Sequence, residues 1–102
     1  MEIIWTKLAK ITYIEILENL TKRWTKNELV SFNNLTNELL EKIQNNKIVY
    51  PYVNHSLRIH KVIIHKNVSL FYKKDADANK IYLITFFNNR MNPEKLKELL
   101  NK

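Results

Sequence analysis

The sequence predicts an α+β fold: a short N-terminal strand, an antiparallel helical hairpin packed on an antiparallel β-sheet that continues as a meander of three further strands, and a short C-terminal helix. Three observations predict it. Apolar residues recur at helical spacing in two runs between residues 7 and 44, separated only by Trp24-Thr25. After Pro51 the period changes to two, in segments rich in β-branched and aromatic residues. A chain of 102 residues without Cys is also long enough to bury a core unaided, which makes residues 1–102 a single domain.

Glu2-Ile3-Ile4-Trp5 reads as the first strand, and Thr6 as the N-cap of a helix from 7 to about 23. Ala9, Tyr13, Ile16, Leu17, Leu20 and Trp24 share one arc of it, with Ile11 and Ile14 outside that arc. Thr25 and Glu28 form a capping box for a second helix, whose Leu29, Phe32, Leu35, Leu39, Leu40 and Ile43 recur on one face to about Gln44. Asn45-Asn46 supplies a left-handed stop. So short a link between helices dictates an antiparallel hairpin.

Tyr50-Pro51-Tyr52 reads as a loop, followed by strands over 56–65, 68–73 and 80–87, joined by Lys66-Asn67 and by residues 75–79. Such short connections specify an antiparallel meander. By alternation Val68, Leu70 and Tyr72 face the helices, and Ile81, Leu83, Thr85 and Phe87 oppose Tyr82, Ile84 and Phe86. A Tyr buried in this way is expected to pair its hydroxyl. Asn92-Pro93 opens the final helix, with Leu96, Leu99 and Leu100 as a narrow stripe.

Composition excludes several classes. Without Cys there is no thiol nucleophile and no Cys-ligated zinc; without Gly there is no P-loop or dinucleotide fingerprint. The start of the chain lacks the basic segment and cleavage site of a signal peptide, and no apolar run is long enough to span a bilayer, so a cytoplasmic protein without membrane contact is expected. The net charge is +7. Lys outnumbers Arg, and Asn and Ile are frequent, which points to an A/T-rich coding bias. The placement of the charge is more informative: no acid falls between Asn54 and Lys74, where all three His lie. A one-sided positive field suits nucleic acid or an acidic protein segment.

His55, His60 and His65 recur every five residues, so neighbours in an extended segment point to opposite faces and no metal site is expected. Asp75 and Asp77 are explained by turn chemistry. The remaining constellation is basic: Arg58, His60, Lys61, His65, Lys66, Lys73 and Lys74, then Arg90 in a strand-to-helix loop. Alternation puts Arg58 with His60, and Lys61 with His65, on shared faces. Ordinary solubilising Lys is the competing reading for each Lys; Arg58, His60, Lys61 and Arg90 are the target-binding candidates.

Ile3-Ile4-Trp5-Thr6, Ala9, Tyr13-Ile14, Trp24, Tyr50-Pro51, Leu57-Arg58-Ile59, Leu70-Phe71-Tyr72 and Phe86-Phe87-Asn88-Asn89-Arg90-Met91-Asn92-Pro93 follow in an order and spacing that resembles the RelE/ParE superfamily of bacterial toxins over nearly the whole chain. The resemblance implies the toxin of a type II toxin–antitoxin module, with no cofactor and a cognate antitoxin as partner, in a homodimer or a toxin–antitoxin hetero-oligomer. RelE-like members cut mRNA in the ribosomal A site, whereas ParE-like members poison DNA gyrase. Ribosome-dependent members typically carry an Arg where this chain has Ser69, and a reactive His or Tyr near an end that here reads Glu98-Leu99-Leu100-Asn101-Lys102. In a nuclease, His65, Lys61, Lys73 or Arg90 would have to substitute as catalytic groups. Phe87-Asn88-Asn89-Arg90 with Asn92-Pro93 looks closer to the ParE-like ending, which favours gyrase inhibition; a ribosome-dependent endoribonuclease and a degenerate member that only binds antitoxin are the alternatives. Ile11, Ile14, Leu96, Leu99 and Leu100 are the apolar surface expected to receive the antitoxin.

Overall fold

Two helices lie against one face of a five-stranded sheet in the computed structural model, which describes residues 1–65 and 67–88. The elements are β1 (Glu2–Trp5), α1 (Lys7–Leu20), α2 (Lys26–Gln44), β2 (Tyr52–Asn54), β3 (Ile59–His65), β4 (Val68–Asp75) and β5 (Lys80–Asn88). Their order across the sheet is β1-β5-β4-β3-β2. The last four strands form the antiparallel meander, but β1 lies parallel to β5, with Ile3 opposite Ile81 and Trp5 opposite Leu83. The sheet is therefore mixed. The chain leaves β1 through both helices and re-enters at the far edge, and no local pattern encodes the direction in which the two ends finally meet.

The helix caps form as their residues dictate. The Thr6 hydroxyl accepts from the Ala9 amide at 3.1 Å and donates to the Leu83 carbonyl at 2.6 Å, fastening the start of α1 to β5. Thr25 and Glu28 make the reciprocal capping box, and Asn46 takes the left-handed conformation at φ 56°. α1 ends at Leu20, short of the expected residue 23, because the Lys22, Arg23 and Trp24 amides turn back onto the Asn19 and Leu20 carbonyls. In α2 Leu35 is exposed, and buried Thr36 takes the place expected for it, its hydroxyl donating to the Phe32 carbonyl at 3.0 Å.

The core between helices and sheet joins Ala9, Tyr13, Ile16, Phe32, Leu40 and Ile43 to Val62, Val68, Leu70, Tyr72, Ile81, Leu83 and Phe86. Val68, Leu70 and Tyr72 thus face the helices as alternation predicts. The last strand departs from it. A register shift opposite Phe71/Tyr72 puts an extra residue into β5, so Phe86 joins Ile81 and Leu83 while Phe87 packs with Ile59 and Phe71 in a second cluster. Thr12 of α1 fits this irregularity: its hydroxyl accepts from the Phe86 amide at 3.0 Å and meets Thr85 Oγ1 at 3.3 Å. Trp5, Tyr13 and Phe86 pack as an aromatic group with centroids 4.7–5.5 Å apart, each pair adding about 0.5–1.5 kcal/mol beyond its area. The expected final helix lies outside the described residues.

Candidate functional site

The longest departure from the expected strands builds a charged groove. Tyr52, read as the end of a loop, opens β2, and Asn54 then closes a turn by accepting the Leu57 amide at 2.9 Å on its Oδ1. Residues 56–58, expected in a strand, lie in that turn, and Arg58 leaves it at φ 55°. This is a conformation that suits glycine or asparagine and strains an arginine. Arg58 is exposed there, beside a groove of about 910 Å³ between the β2–β3 and β4–β5 turns. Tyr52, His60, Tyr82, Lys73 and Lys74 line it with Arg58, as do Asp75 and Asp77. Lys74 donates to Asn46 Oδ1 at 3.0 Å, which ties one of the cations to the end of α2.

His60 enters this groove as a positioned ring. It is 5% exposed, its Nδ1 lies 2.6 Å from the Tyr50 carbonyl oxygen, and its ring stacks on Tyr72 at 4.8 Å and 10°. A carbonyl accepts only, so Nδ1 carries the proton. Tyr52 tilts over the same imidazole at 4.4 Å. Beneath it Tyr72 is fully buried, and among the described residues its hydroxyl has no hydrogen-bond partner, contrary to the expectation that it would be paired. Burial pushes the phenol up to about 12, and the Tyr50 backbone, close but outside hydrogen-bonding geometry, offsets only part of that.

The structure brings Arg58, His60 and Lys73 together and separates the other candidates. Arg58 and His60 do not share a strand face, because Arg58 belongs to the turn and His60 faces the helices opposite Tyr72. Lys61 lies on the other side of the sheet, with Nζ 5.9 Å from the Phe71 ring centroid. His65 does not share that face. A register shift between Ile63 and His65 carries it to the helix side, where it meets Trp24 edge to face at 4.7 Å. His65 is thereby separated from His55 and His60, whose rings both meet Tyr52, at 5.6 and 4.4 Å. Ser69 is fully buried, opposite Ile63 and Phe87. Ile11 and Ile14 are 44% and 55% exposed on α1, next to exposed Leu8. Arg90, Leu96, Leu99 and Leu100 lie outside the described residues. The strained Arg58 turn has no local signal, since it depends on a β2–β3 pairing that a loop-like Pro51 conceals.

Among the described residues no helix is long and apolar enough to cross a membrane. No protein-family profile matches the chain, and no curated protein matches its sequence. Among solved structures it is similar to a copper-bound mutant toxin from Helicobacter pylori, with a TM-score of 0.64 and 15% identity over 86% of this chain and 93% of that one. At this identity the likeness establishes a shared fold.

Proposed function

We propose that the protein is the growth-arresting toxin of a type II toxin–antitoxin module and that it acts by binding its target, as a ParE-like inhibitor of DNA gyrase, without cutting RNA. The shared fold with the Helicobacter pylori toxin supports the first part. One observation carries the second. At the strand position where ribosome-dependent relatives would present an Arg, this chain has Ser69, fully buried between apolar neighbours Ile63 and Phe87. RNA cleavage requires a cation on the pentacoordinate phosphate and a positioned base or acid. A small buried hydroxyl offers neither.

The alternative, a ribosome-dependent endoribonuclease, draws on the groove in which Arg58, Lys73 and His60 converge beside Tyr52 and Tyr82. Its cations can hold phosphates and its rings can stack bases. The two readings separate with purified protein: gyrase inhibition with accumulation of cleaved DNA supports the first, and message cleavage only when ribosomes are present supports the second. Normal growth under overexpression leaves a degenerate member that only binds antitoxin.

Ile11 and Ile14 are the proposed antitoxin contact on α1, because they are exposed, apolar and outside the buried arc. An acidic segment complements a chain of +7. Ile11→Asp with Ile14→Asp should abolish co-purification with the product of the adjacent reading frame at an unchanged melting temperature. Retained co-purification removes this surface from the account.

A further inference from the structure

At the opposite end of the sheet from the Arg58 groove, a second recess of about 390 Å³ opens between the end of α1 and the β3–β4 turn. Three local features build it. The early end of α1 leaves Lys22, Arg23 and Trp24 in a tight turn on the Asn19 and Leu20 carbonyls. The register shift in β3 brings His65 to the same side, and Asn67 and Val68 follow from the turn into β4. Trp24 is half-buried and meets His65 and Phe32 edge to face, at 74° and 71°; among the described residues no ring lies parallel on the indole.

The lining combines an aromatic wall, the cations Lys22 and Arg23 and the amides of Asn19 and Asn67, with no acid among its described residues. Its volume falls in the range of small-molecule sites. An indole takes a planar heteroaromatic ring by stacking, guanidinium and ammonium groups hold a phosphate, and side-chain amides pair with the donors and acceptors of a base edge. We infer that this recess binds a nucleoside monophosphate moiety, free or as one residue of a single strand. It lies on the helix side of the sheet, separate from the Arg58 groove, and does not depend on how the toxin acts.

The chain has two tryptophans, and Trp5, half-buried against Tyr13 and Phe86, does not line this recess. The change in intrinsic fluorescence that is lost in Trp24→Phe therefore reports on Trp24. Adenosine and guanosine monophosphates, the matching nucleosides, inorganic phosphate and a short single-stranded oligonucleotide should each be titrated into the purified chain. The expected result is saturable quenching by the monophosphates, weaker with nucleoside or phosphate alone, and lost in Trp24→Phe. Lys22→Ala with Arg23→Ala should weaken it by about tenfold or more at an unchanged melting temperature. Tighter binding of the oligonucleotide assigns the source to a strand, and tighter binding of the mononucleotide assigns it to a free metabolite. Quenching by no nucleotide or oligonucleotide, equal response to inorganic phosphate, or undiminished binding by the double variant overturns the inference. None of these results bears on gyrase inhibition or growth arrest, so the two readings fail separately.

Discussion

Arg58 and Tyr72 show opposite ways in which single residues depart from the most stable choice. A left-handed conformation costs an ordinary residue about 1–2 kcal/mol, and Asn tolerates it better. At φ 55°, Arg58 sits in strain while its side chain stands exposed beside the groove. Such strain is retained where the side chain has work to do. Arg58→Asn should therefore raise stability by about 0.5–1 kcal/mol and weaken growth arrest; thermal melting and colony counts on the same variant check the two signs. Tyr72 keeps a hydroxyl that is buried without a partner among the described residues. Tyr72→Phe removes that unpaired group and should stabilise by about 1 kcal/mol, read by denaturant unfolding. Its phenol also links stability to alkali. The unfolded chain releases this proton near 10.0 and the folded chain near 12, so the stabilisation is complete below the lower value and is lost as pH rises through the higher. The fall in melting temperature across that window should be smaller in Tyr72→Phe.

At the scale of elements, what the sequence reveals divides by the range of the interaction that decides it. Thr6, the Thr25/Glu28 box and Asn46 act on backbone groups within a few residues, so the helix starts and the stop of α2 follow from local chemistry. The faces of β4 are equally legible because its helix-facing residues Val68, Leu70 and Tyr72 alternate without interruption. Alternation assigns His65 and Phe86 to the wrong sides because each follows an extra residue in its strand, and an insertion of one residue reverses everything beyond it. In β5 the irregularity is met by Thr12, some seventy residues earlier in the chain, through the Phe86 amide. Thr12→Val keeps the shape and removes that acceptor. It should cost about 1–3 kcal/mol and accelerate hydrogen exchange at Phe86; unchanged exchange there would mean that the bulge stands without α1. The candidate groove is half legible for the same reason: the sequence singles out Arg58, His60 and Lys73, but their convergence depends on β2 pairing with β3 and on the turn that follows.

Over the whole molecule, exposed cations among the described residues lie both on the helices, at Lys7, Lys10, Lys26 and Lys42, and beside the sheet, at Arg58 and Lys73. The recess at Trp24 and the groove at Arg58 occupy opposite ends of the β-meander, so one anionic partner and a small ligand could be held at the same time. The proposed mode of action rests on the sheet position of Ser69, a fully buried small hydroxyl residue opposite Ile63 and Phe87, in place of a side chain that presents a cation to phosphate. A protein that arrests growth by binding must act on its target at stoichiometric concentration, whereas a nuclease acts at traces. The most direct measurement is supercoiling by purified gyrase with the chain titrated against it: the predicted result is inhibition that reaches completion near equimolar protein, with cleaved DNA accumulating. Full supercoiling at saturating protein, from a preparation that cuts message on ribosomes, would contradict it.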